Sequence, residues 1–488
     1  MARWEFTLTV DRRQRTPVFV QIARAIVNDI TRGRLRAGDV LPGTRTLART
    51  LGVQRQTVVA AFNELYAEGW IATRPARGTF VSPDFPDPSP RRFSPRNAVA
   101  AAAAPAFDLP AAPPFERPYE FPSGTLFFSP TRPDVRLAPA ELIGRAYRGA
   151  IRRGGRSLLT YAGPEGHPRL RAAIRSMLAA RRSLAAGVEN ICITRGSQMA
   201  IALVARALIR PGDAVAVEHL GYRPAWEVFK LAGARVVPLP IDDEGISIDR
   251  IEQLHARMPL RAIYLTPHHQ FPTTVTLSAA RRLRLIDFAQ RARVAIVEDD
   301  YDHEFHYDGR PVAPLASADR WGVVIYIGSL SKVLAPALRT GYVVGTARLI
   351  ERLAAHRTLI DTQGDQVLEY ALAELIEEGD IQRHVWRMRR EYAARRDRLV
   401  DLLHKAFGTM LTFDVPPGGI AIWTRVRNEV DVERWARDAM QRGVVAITAR
   451  SFAFDGRPRP YFRLGFAALT PAELAEAVRR FSAAKPRM

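Results

Sequence analysis

Residues 328–342 read GSLSKVLAPALRTGY and place Lys332 directly after a turn of small hydroxyl side chains. A lysine at such a strand end can form a Schiff base with an aldehyde cofactor. Ser329 and Ser331 are suited to bind a phosphate group, and Arg339 follows seven residues after the lysine as its ionic partner. Only four of the 71 basic residues are lysines, so a lysine in this apolar segment is not expected to be an ordinary surface residue without a function.

Residues 294–309 read VAIVEDDYDHEFHYDG, an apolar run that ends in several carboxylates. Buried carboxylates are costly unless they have partners. Asp299 is suited to keep the pyridinium nitrogen of pyridoxal 5'-phosphate (PLP) protonated, which makes the ring an electron sink, and Tyr301 to hydrogen-bond the ring oxygen. On this segment alone, a metal site built from Asp299, Asp300, Asp302 and His303 remains the alternative.

Short apolar runs alternate with amphipathic stretches throughout this half of the chain. The runs are NICIT (190–194), AVAVE (214–218), ARVVPL (234–239), RAIYLT (261–266), VAIVEDD (294–300) and GVVIYIGS (322–329). Apolar runs of this length between helices predict a mostly parallel, buried sheet and therefore an α/β fold.

Further motifs flank the lysine segment. Gly196, Ser197 and Gln198 open a predicted helix, whose N-terminus would form a phosphate cradle. Tyr222, in AVAVEHLGYRPA (214–225), is positioned to stack on a cofactor ring. The chain also contains LTYAGPEGHPRLRAAI (159–174), YLTPHHQFPTT (264–274) and YFRLGFA (461–467).

The first 81 residues have a different pattern. The stretch PVFVQIARAIVNDITRG (17–33) carries an apolar helical stripe, and Gly33 is expected to end that helix. Thr44 is predicted to cap a second helix that runs to about Leu51. A turn and a third helix from about Gln54 follow, and WIATRPARGTFV (70–81) predicts two short strands. Two helices joined by a glycine-containing turn, followed by a hairpin wing, predict a winged helix-turn-helix.

Amino-acid composition predicts the domain boundaries and restricts the possible class of protein. Residues 82–118 contain 10 Pro and 9 Ala and predict a semi-extended linker, which gives a DNA-binding domain at 1–81, the linker, and a cofactor-binding domain at 119–488.

Cys192 is the only cysteine, so no intrachain disulfide can form. No signal peptide and no apolar run of roughly 18 residues is visible, so a cytoplasmic protein without a membrane partner is expected. The net charge of +21 is densest in residues 1–81, which have 13 basic and 6 acidic side chains.

The N-terminal motifs, in this order, resemble the winged-helix domain of the GntR family. That resemblance implies double-stranded operator DNA as a partner, with the start of the third helix in the major groove. The residues implied in DNA binding are Arg45, Gln54, Arg55, Gln56, Thr57, Gly78 and Thr79. Val59 departs from relatives that carry arginine there, so one phosphate contact is expected to be missing.

The motifs of the larger part resemble fold-type I aminotransferases and, together with the head, the MocR regulators. The resemblance implies PLP as cofactor, Lys332 as its Schiff-base lysine, Asp299 at the pyridine nitrogen and Tyr301 at the ring oxygen. It also implies Tyr161 as a phosphate contact from the partner of a homodimer and Arg463 as the arginine for an effector carboxylate. The phosphate-binding residues implied are Ser197, Gln198, Ser329, Ser331 and Arg339.

Two positions are less settled by the resemblance. His269 is expected in the loop under the cofactor, with a role that the motif leaves open. Thr274 stands where relatives have glycine, and threonine is a poor residue wherever the backbone needs a positive φ.

The sequence therefore predicts a PLP-dependent transcription regulator that senses PLP or an amino compound, and no metal is assigned. The alternative is an active PLP-dependent aminotransferase with an accessory DNA-binding head, because all groups for a half-reaction are present. A third interpretation is an unspecific DNA binder that uses its basic surface, which would show steep salt dependence without operator preference.

Overall fold

A computed structural model describes residues 10–11, 16–74, 78–84, 107–109, 121–309 and 311–486. The chain divides into two compact units, residues 1–111 and 112–488. Most of the predicted linker 82–118, and Arg77 in the predicted wing, lie outside the described residues.

The smaller unit contains α1 (Val18–Thr31), α2 (Thr44–Leu51), α3 (Arg55–Ala67), β1 (Ile71–Arg74) and β2 (Gly78–Val81). Gly52 ends α2 with φ 63°, a conformation that glycine adopts without a Cβ clash, and the chain turns directly into α3. The apolar stripe of α1 packs with Val58, Phe62 and Leu65 of α3 in one core. β1 and β2 form the antiparallel hairpin that the sequence predicts, with Ile71 opposite Val81.

The start of α2 differs from the expectation. Gly43 is the N-cap residue, and no side chain caps this end. Thr44 is already helical, and its hydroxyl instead accepts a hydrogen bond from Arg55 Nε at 3.4 Å. The prediction of Thr44 as the cap was wrong by one residue, because the chain enters the helix from the Pro42-Gly43 pair.

The larger unit alternates strands and helices. Its helices are α4 (Ala140–Gly154), α5 (Pro168–Arg182), α6 (Ser197–Leu208), α7 (Arg223–Leu231), α8 (Ile248–Arg257), α9 (Ala279–Ala292), α10 (Leu315–Ala318), α11 (Ala347–Thr358), α12 (Gln366–Glu377), α13 (Asp380–Phe407), α14 (Val432–Gln441) and α15 (Pro471–Ala483). Its strands are β3 (Leu126–Phe127), β4 (Ile191–Thr194), β5 (Ala214–Glu218), β6 (Arg235–Leu239), β7 (Ile241–Asp242), β8 (Gly245–Ile246), β9 (Leu260–Leu265), β10 (Ala295–Asp300), β11 (Val324–Ser329), β12 (Gly341–Val344), β13 (Leu411–Thr412), β14 (Ala421–Val426), β15 (Val444–Val445), β16 (Ile447–Thr448) and β17 (Tyr461–Gly465).

A seven-stranded sheet forms the centre, in the order β4-β12-β11-β10-β9-β5-β6. All six apolar runs of the sequence are strands of this sheet. Its pairs are parallel except those of β12, which is antiparallel to β11 and β4. The sequence pattern did not reveal β12, because this short strand follows the lysine segment without a helix between them.

A second, four-stranded antiparallel sheet, in the order β13-β14-β17-β16, carries α13, α14 and α15. Its aromatic core includes Trp435 stacked on Phe481 at 4.4 Å. Arg463 lies on β17, so this sheet delivers the predicted effector arginine. Among the described residues, no helix is both long and apolar enough to cross a bilayer.

Candidate functional site

The alternation of side chains along β10 places the three carboxylates at its end on two different faces of the sheet. Successive side chains of a strand point to opposite faces of the sheet, so Asp299 faces away from Glu298 and Asp300. Glu298 accepts hydrogen bonds from the amides of Leu315 and Ala316 at the start of α10. This division separates Asp299 from Asp300, and the alternative metal site that required both is not assembled.

Asp300 has its own partners on the face that it shares with Glu298. It accepts a 2.7 Å hydrogen bond from Tyr326 and lies 3.0 Å from His303 Nδ1 and 3.7 Å from Arg182. The nearby His303 and Arg182 charges hold the pKa of Asp300 below its usual range against the opposing effect of burial.

Asp299 opens into a small cavity of about 90 Å³. Five predicted site residues line this cavity, together with Thr131, Thr266 and Phe271; the five are Ser197, Tyr222, Asp299, Tyr301 and Lys332. Segments that are distant in the chain therefore meet around one lysine and one buried carboxylate.

The amine of Lys332 donates a 2.6 Å hydrogen bond to the carbonyl oxygen of Thr131. Burial lowers the pKa of Lys332 to about 8, although the charges of Asp302 and Asp299 oppose that shift. A lysine with a lowered pKa presents more of the uncharged amine, which is the form that attacks an aldehyde.

Asp299 is buried, and its Oδ2 accepts a 2.7 Å hydrogen bond from Tyr264. Burial raises the pKa of Asp299 to about 6, although the Tyr264 hydrogen bond opposes this effect. Its Oδ1 has no hydrogen-bond partner among the described residues. An orphaned carboxylate oxygen in a cavity with a lysine fits the protonated ring nitrogen of PLP.

Three of the predicted phosphate residues, Ser197, Gln198 and Arg339, lie at the start of α6. Ser197 is the first residue of that helix, whose N-terminal amides attract anions. Gly196 has φ 80°, and a Cβ there would lie 3.0 Å from the guanidinium carbon of Arg339, so the glycine lets this cation approach the helix start. The Arg339 guanidinium also donates to Arg195 O at 3.0 Å.

Two further polar groups of this set lack partners. Ser331 Oγ and Gln198 Oε1 are buried without a hydrogen bond from the described residues, while Ser329 Oγ accepts from the Ser331 amide at 3.1 Å. A hydroxyl and amides near a helix N-terminus suit phosphate oxygens, so the residues present fit PLP at both of its polar ends.

Two predicted residues have partners that compete with their predicted ligands. Tyr301 donates to His269 O at 3.0 Å. Arg463 is fully buried, and it donates to Pro130 O at 3.3 Å, to Pro272 O and to Tyr301 Oη at 3.4 Å. A ligand carboxylate at Arg463 would therefore have to replace carbonyl oxygens.

Other predicted residues lie around or away from the cavity. Tyr222 packs edge-on against Phe271 at 5.9 Å and lines the cavity, as stacking on a ring requires. Tyr161 is 84% exposed and is not among the lining residues. His269 is buried, and its Nδ1 pairs with Asp302 at 2.9 Å.

Sequence reasoning missed several groups that shape this site. Thr131, Thr266 and Phe271 line the cavity, and Tyr264 binds Asp299. Tyr264 could have been recognised once β9 and β10 were taken as parallel neighbours. In that pairing Tyr264 lies opposite Val297, which is two residues before Asp299 and on the same face. Thr131 had none, since only its backbone oxygen takes part.

The loop after β9 contains the threonine that departs from the family pattern. Thr274 adopts φ 67°, so the position does require a positive φ and holds a residue that is strained there. The turn is fixed by the bond from Thr274 N to Gln270 O at 2.7 Å.

Four of the seven predicted DNA-contacting residues lie at the beginning of α3, and the other three lie on α2 and β2. Gln54 is the N-cap, and Gln54, Arg55 and Gln56 are exposed, whereas Thr57 is half-buried. Arg45 is exposed on α2, and Gly78 and Thr79 begin β2. The exposed glutamine and arginine side chains can read adenine and guanine in a major groove.

Comparison with known proteins identifies the class of protein to which this chain belongs. Residues 133–481 match the aminotransferase class I and II family, and residues 19–81 match the bacterial regulatory proteins of the gntR family. The fold and the site thus define a DNA-binding regulator whose large domain is of the PLP-dependent aminotransferase type.

Relatives share both parts. The chain is 33% identical over 96% of its length to a probable rhizopine catabolism regulatory protein MocR of Rhizobium meliloti, covering 94% of that protein. It is 30% identical over 95% of its length to the transcriptional regulator TauR of Rhodobacter capsulatus, covering 96% of it. A kynurenine aminotransferase of Pyrococcus horikoshii, crystallised with PMP, matches 74% of this chain and 91% of its own with a TM-score of 0.70 and 26% identity. The chain belongs to the aminotransferase class I and II family and, with its gntR-family head, to the MocR-type regulators.

Proposed function

We propose that this protein controls transcription in response to the occupant of the Lys332 cavity. PLP, or an amino compound that reacts with it, changes the affinity of the α3 surface for operator DNA. The observation that carries the proposal is that one chain contains both an exposed polar helix start and a buried lysine beside an orphaned carboxylate.

PLP supplies an aldehyde and an electron-withdrawing ring when it is bound. In this proposal Lys332 holds the cofactor covalently, and Asp299 keeps its ring nitrogen protonated. Tyr222 covers the ring, Tyr301 holds its oxygen, and the groups at the start of α6 hold its phosphate.

The backbone segment at residues 130–131 is suited to change its conformation when a ligand occupies the Lys332 cavity. Lys332 donates to Thr131 O and Arg463 donates to Pro130 O, so both predicted ligand-binding cations hold residues 130–131. With PLP bound, Lys332 would no longer donate to Thr131 O, and a ligand carboxylate would compete with Pro130 O for Arg463. Because each ligand favours the state in which these bonds are released, binding shifts the balance between two states of the segment. The segment lies shortly after the predicted linker 82–118, which makes it a route to the DNA-binding domain.

The decisive experiment measures DNA affinity against cofactor occupancy. Full-length protein is used to select bound fragments from genomic DNA, and the affinity for the selected fragment is followed at fixed salt with increasing PLP, with and without a panel of amino compounds. A change that is absent in Lys332→Ala supports the proposal. Operator binding that PLP and amines leave unchanged refutes ligand sensing, and affinity that depends on salt but not on sequence refutes an operator-specific regulator.

A second candidate function is transamination. The lowered pKa of Lys332 and the buried Asp299 beside it are what a half-reaction needs. Conversion of bound PLP to its amine form on addition of amino acids, followed spectroscopically, would support this activity. A spectrum that remains unchanged with every amino acid tested would contradict transamination, and regulation would remain the one proposed function.

We also propose that the protein acts as a homodimer in the cytoplasm, where its DNA partner resides. Leu159 and Tyr161 are 69% and 84% exposed, an apolar surface suited to a second copy, and the resemblance assigns Tyr161 to the partner's cavity. Mixing Lys332→Ala with Tyr161→Phe subunits tests this arrangement, because only a mixed dimer that shares residues contains one intact site. Failure of the mixture to regain tight PLP binding contradicts the shared site.

A further inference from the structure

A cluster of histidines lies beside the cofactor cavity and takes no part in the proposal above. We define the histidine cluster as His268, His269 and His306, which follow the neighbouring strands β9 and β10. Their residues are between 2% and 6% exposed. One ring nitrogen from each lies within 4.8 Å of the others, and the rings of His269 and His306 are stacked at 13°.

The cluster has unsatisfied hydrogen-bonding groups. Both ring nitrogens of His268 and both of His306 lack a hydrogen-bond partner among the described residues. A buried polar group without a partner costs about 1–3 kcal/mol, so four such nitrogens in one place call for a ligand.

The third ring is held by a carboxylate. His269 Nδ1 pairs with Asp302 Oδ1 at 2.9 Å, and both side chains are 1% exposed. This pairing fixes the ring and leaves Nε2 as the nitrogen available to a ligand. Metal-binding histidines usually have such a carboxylate on the other ring nitrogen, because it orients the ring and raises its basicity.

We propose that His268, His269 and His306 bind a divalent transition-metal ion of the zinc class. Imidazole nitrogens favour zinc, copper, nickel or cobalt over magnesium or calcium, which prefer oxygen ligands. Zinc–nitrogen bonds of about 2.0–2.1 Å place tetrahedral ligand atoms roughly 3.3–3.4 Å apart, so rotation of the buried rings must bring the nitrogens closer by up to about 1.4 Å. A site with three protein ligands leaves the fourth position to a water molecule.

The site would fix the loop that borders the cofactor cavity. His269 O accepts the hydrogen bond of Tyr301, and Pro272 O, three residues later, accepts from Arg463. An ion that ties this loop to the chain after β10 therefore stabilises one wall of the cavity.

The test uses full-length protein purified without a metal-affinity step from zinc-supplemented culture. After dialysis, metal per chain is measured with and without PLP for the wild type and for His268→Gln and His306→Gln. His404→Gln is the matched control, because it removes an exposed imidazole at the end of α13. We expect one zinc per chain in the wild type and the control, and loss of zinc in both cluster variants.

Two further measurements keep the result interpretable. Cobalt exchanged into the site should show the ligand-field absorption of a tetrahedral nitrogen-rich centre. Asp302→Asn, which keeps all three ligands, should weaken zinc binding by roughly 10- to 100-fold in competition with a chromophoric chelator.

Variants are compared only where their circular dichroism matches the wild type, and Asp302→Asn provides the test if a histidine variant does not fold. Zinc retained by folded His268→Gln and His306→Gln, or a wild type that carries no tightly bound ion, overturns the proposal. The histidines would then be explained by ring packing alone.

Discussion

The amine of Lys332 donates a 2.6 Å hydrogen bond to the carbonyl oxygen of Thr131, 201 residues earlier in the chain. The bond holds the predicted cofactor lysine against the segment that follows the linker. Attack on an aldehyde requires that this amine be uncharged, so the contact and the pKa of Lys332 together govern cofactor capture.

Replacement of Lys332 by alanine should abolish covalent capture of PLP, because no other amine lines the cavity among the described residues. Borohydride reduction followed by peptide mapping measures the attachment. Lys230→Ala is the control, since it removes an exposed lysine that pairs with Glu227. PLP trapped in folded Lys332→Ala protein would contradict the assignment.

The rate of PLP capture should rise with pH through about 8, where Lys332 loses its proton, rather than near the ordinary lysine value of 10.5. The charge of Asp299 raises the pKa of Lys332, so Asp299→Asn should move the midpoint to lower pH. Initial rates of capture across a pH series measure both midpoints. A midpoint that stays in place or moves upward in Asp299→Asn would show that the two groups do not interact as the structure indicates.

Thr274→Gly should stabilise the protein, because Thr274 holds φ 67°. Strain of about 1–2 kcal/mol is relieved, while the added freedom of glycine costs about 0.5–1 kcal/mol, so a gain of up to about 1.5 kcal/mol is expected. Thr273→Gly is the contrast, since Thr273 has no positive φ and its hydroxyl bonds Gln270 Oε1 at 2.6 Å. The urea midpoint should rise for Thr274→Gly and fall for Thr273→Gly; a fall for both would remove the strain argument.

Arg55→Ala should weaken specific operator binding by about 1–3 kcal/mol, the value of a base-reading arginine. Fluorescence anisotropy with selected and scrambled DNA separates this loss from a general loss of charge. Arg32→Ala removes the same charge just after α1 and should affect both DNAs slightly and equally. Equal losses for Arg55→Ala on both DNAs would mean that another element reads the sequence.

Arg463→Gln should remove discrimination between an amino acid and the matching amine that lacks a carboxylate. The test compares how each compound changes operator affinity in PLP-loaded protein. Arg425→Gln, an exposed position on β14 beside β17, is the matched control. Discrimination that survives in folded Arg463→Gln would move the effector carboxylate to another cation.

Much of the fold was accessible from the sequence. Strands such as AVAVE and VAIVEDD are continuous apolar runs because the central sheet is covered on both sides, and their local pattern suffices. β12 was missed because its GYVV has no helix before it to mark a new strand. Lys332 and Asp299 were accessible through the motifs around them, and both line the cavity.

Periodicity and turn residues along the chain determined the winged helix and the α/β fold, because these depend on neighbours within a few positions. Only the tertiary structure decided which carboxylate faces the cavity with Tyr264, that Thr131 receives the lysine, and that His268, His269 and His306 meet. Those contacts join strand ends and loops that are distant in sequence, and their geometry is set by sheet order and register, which no local pattern encodes.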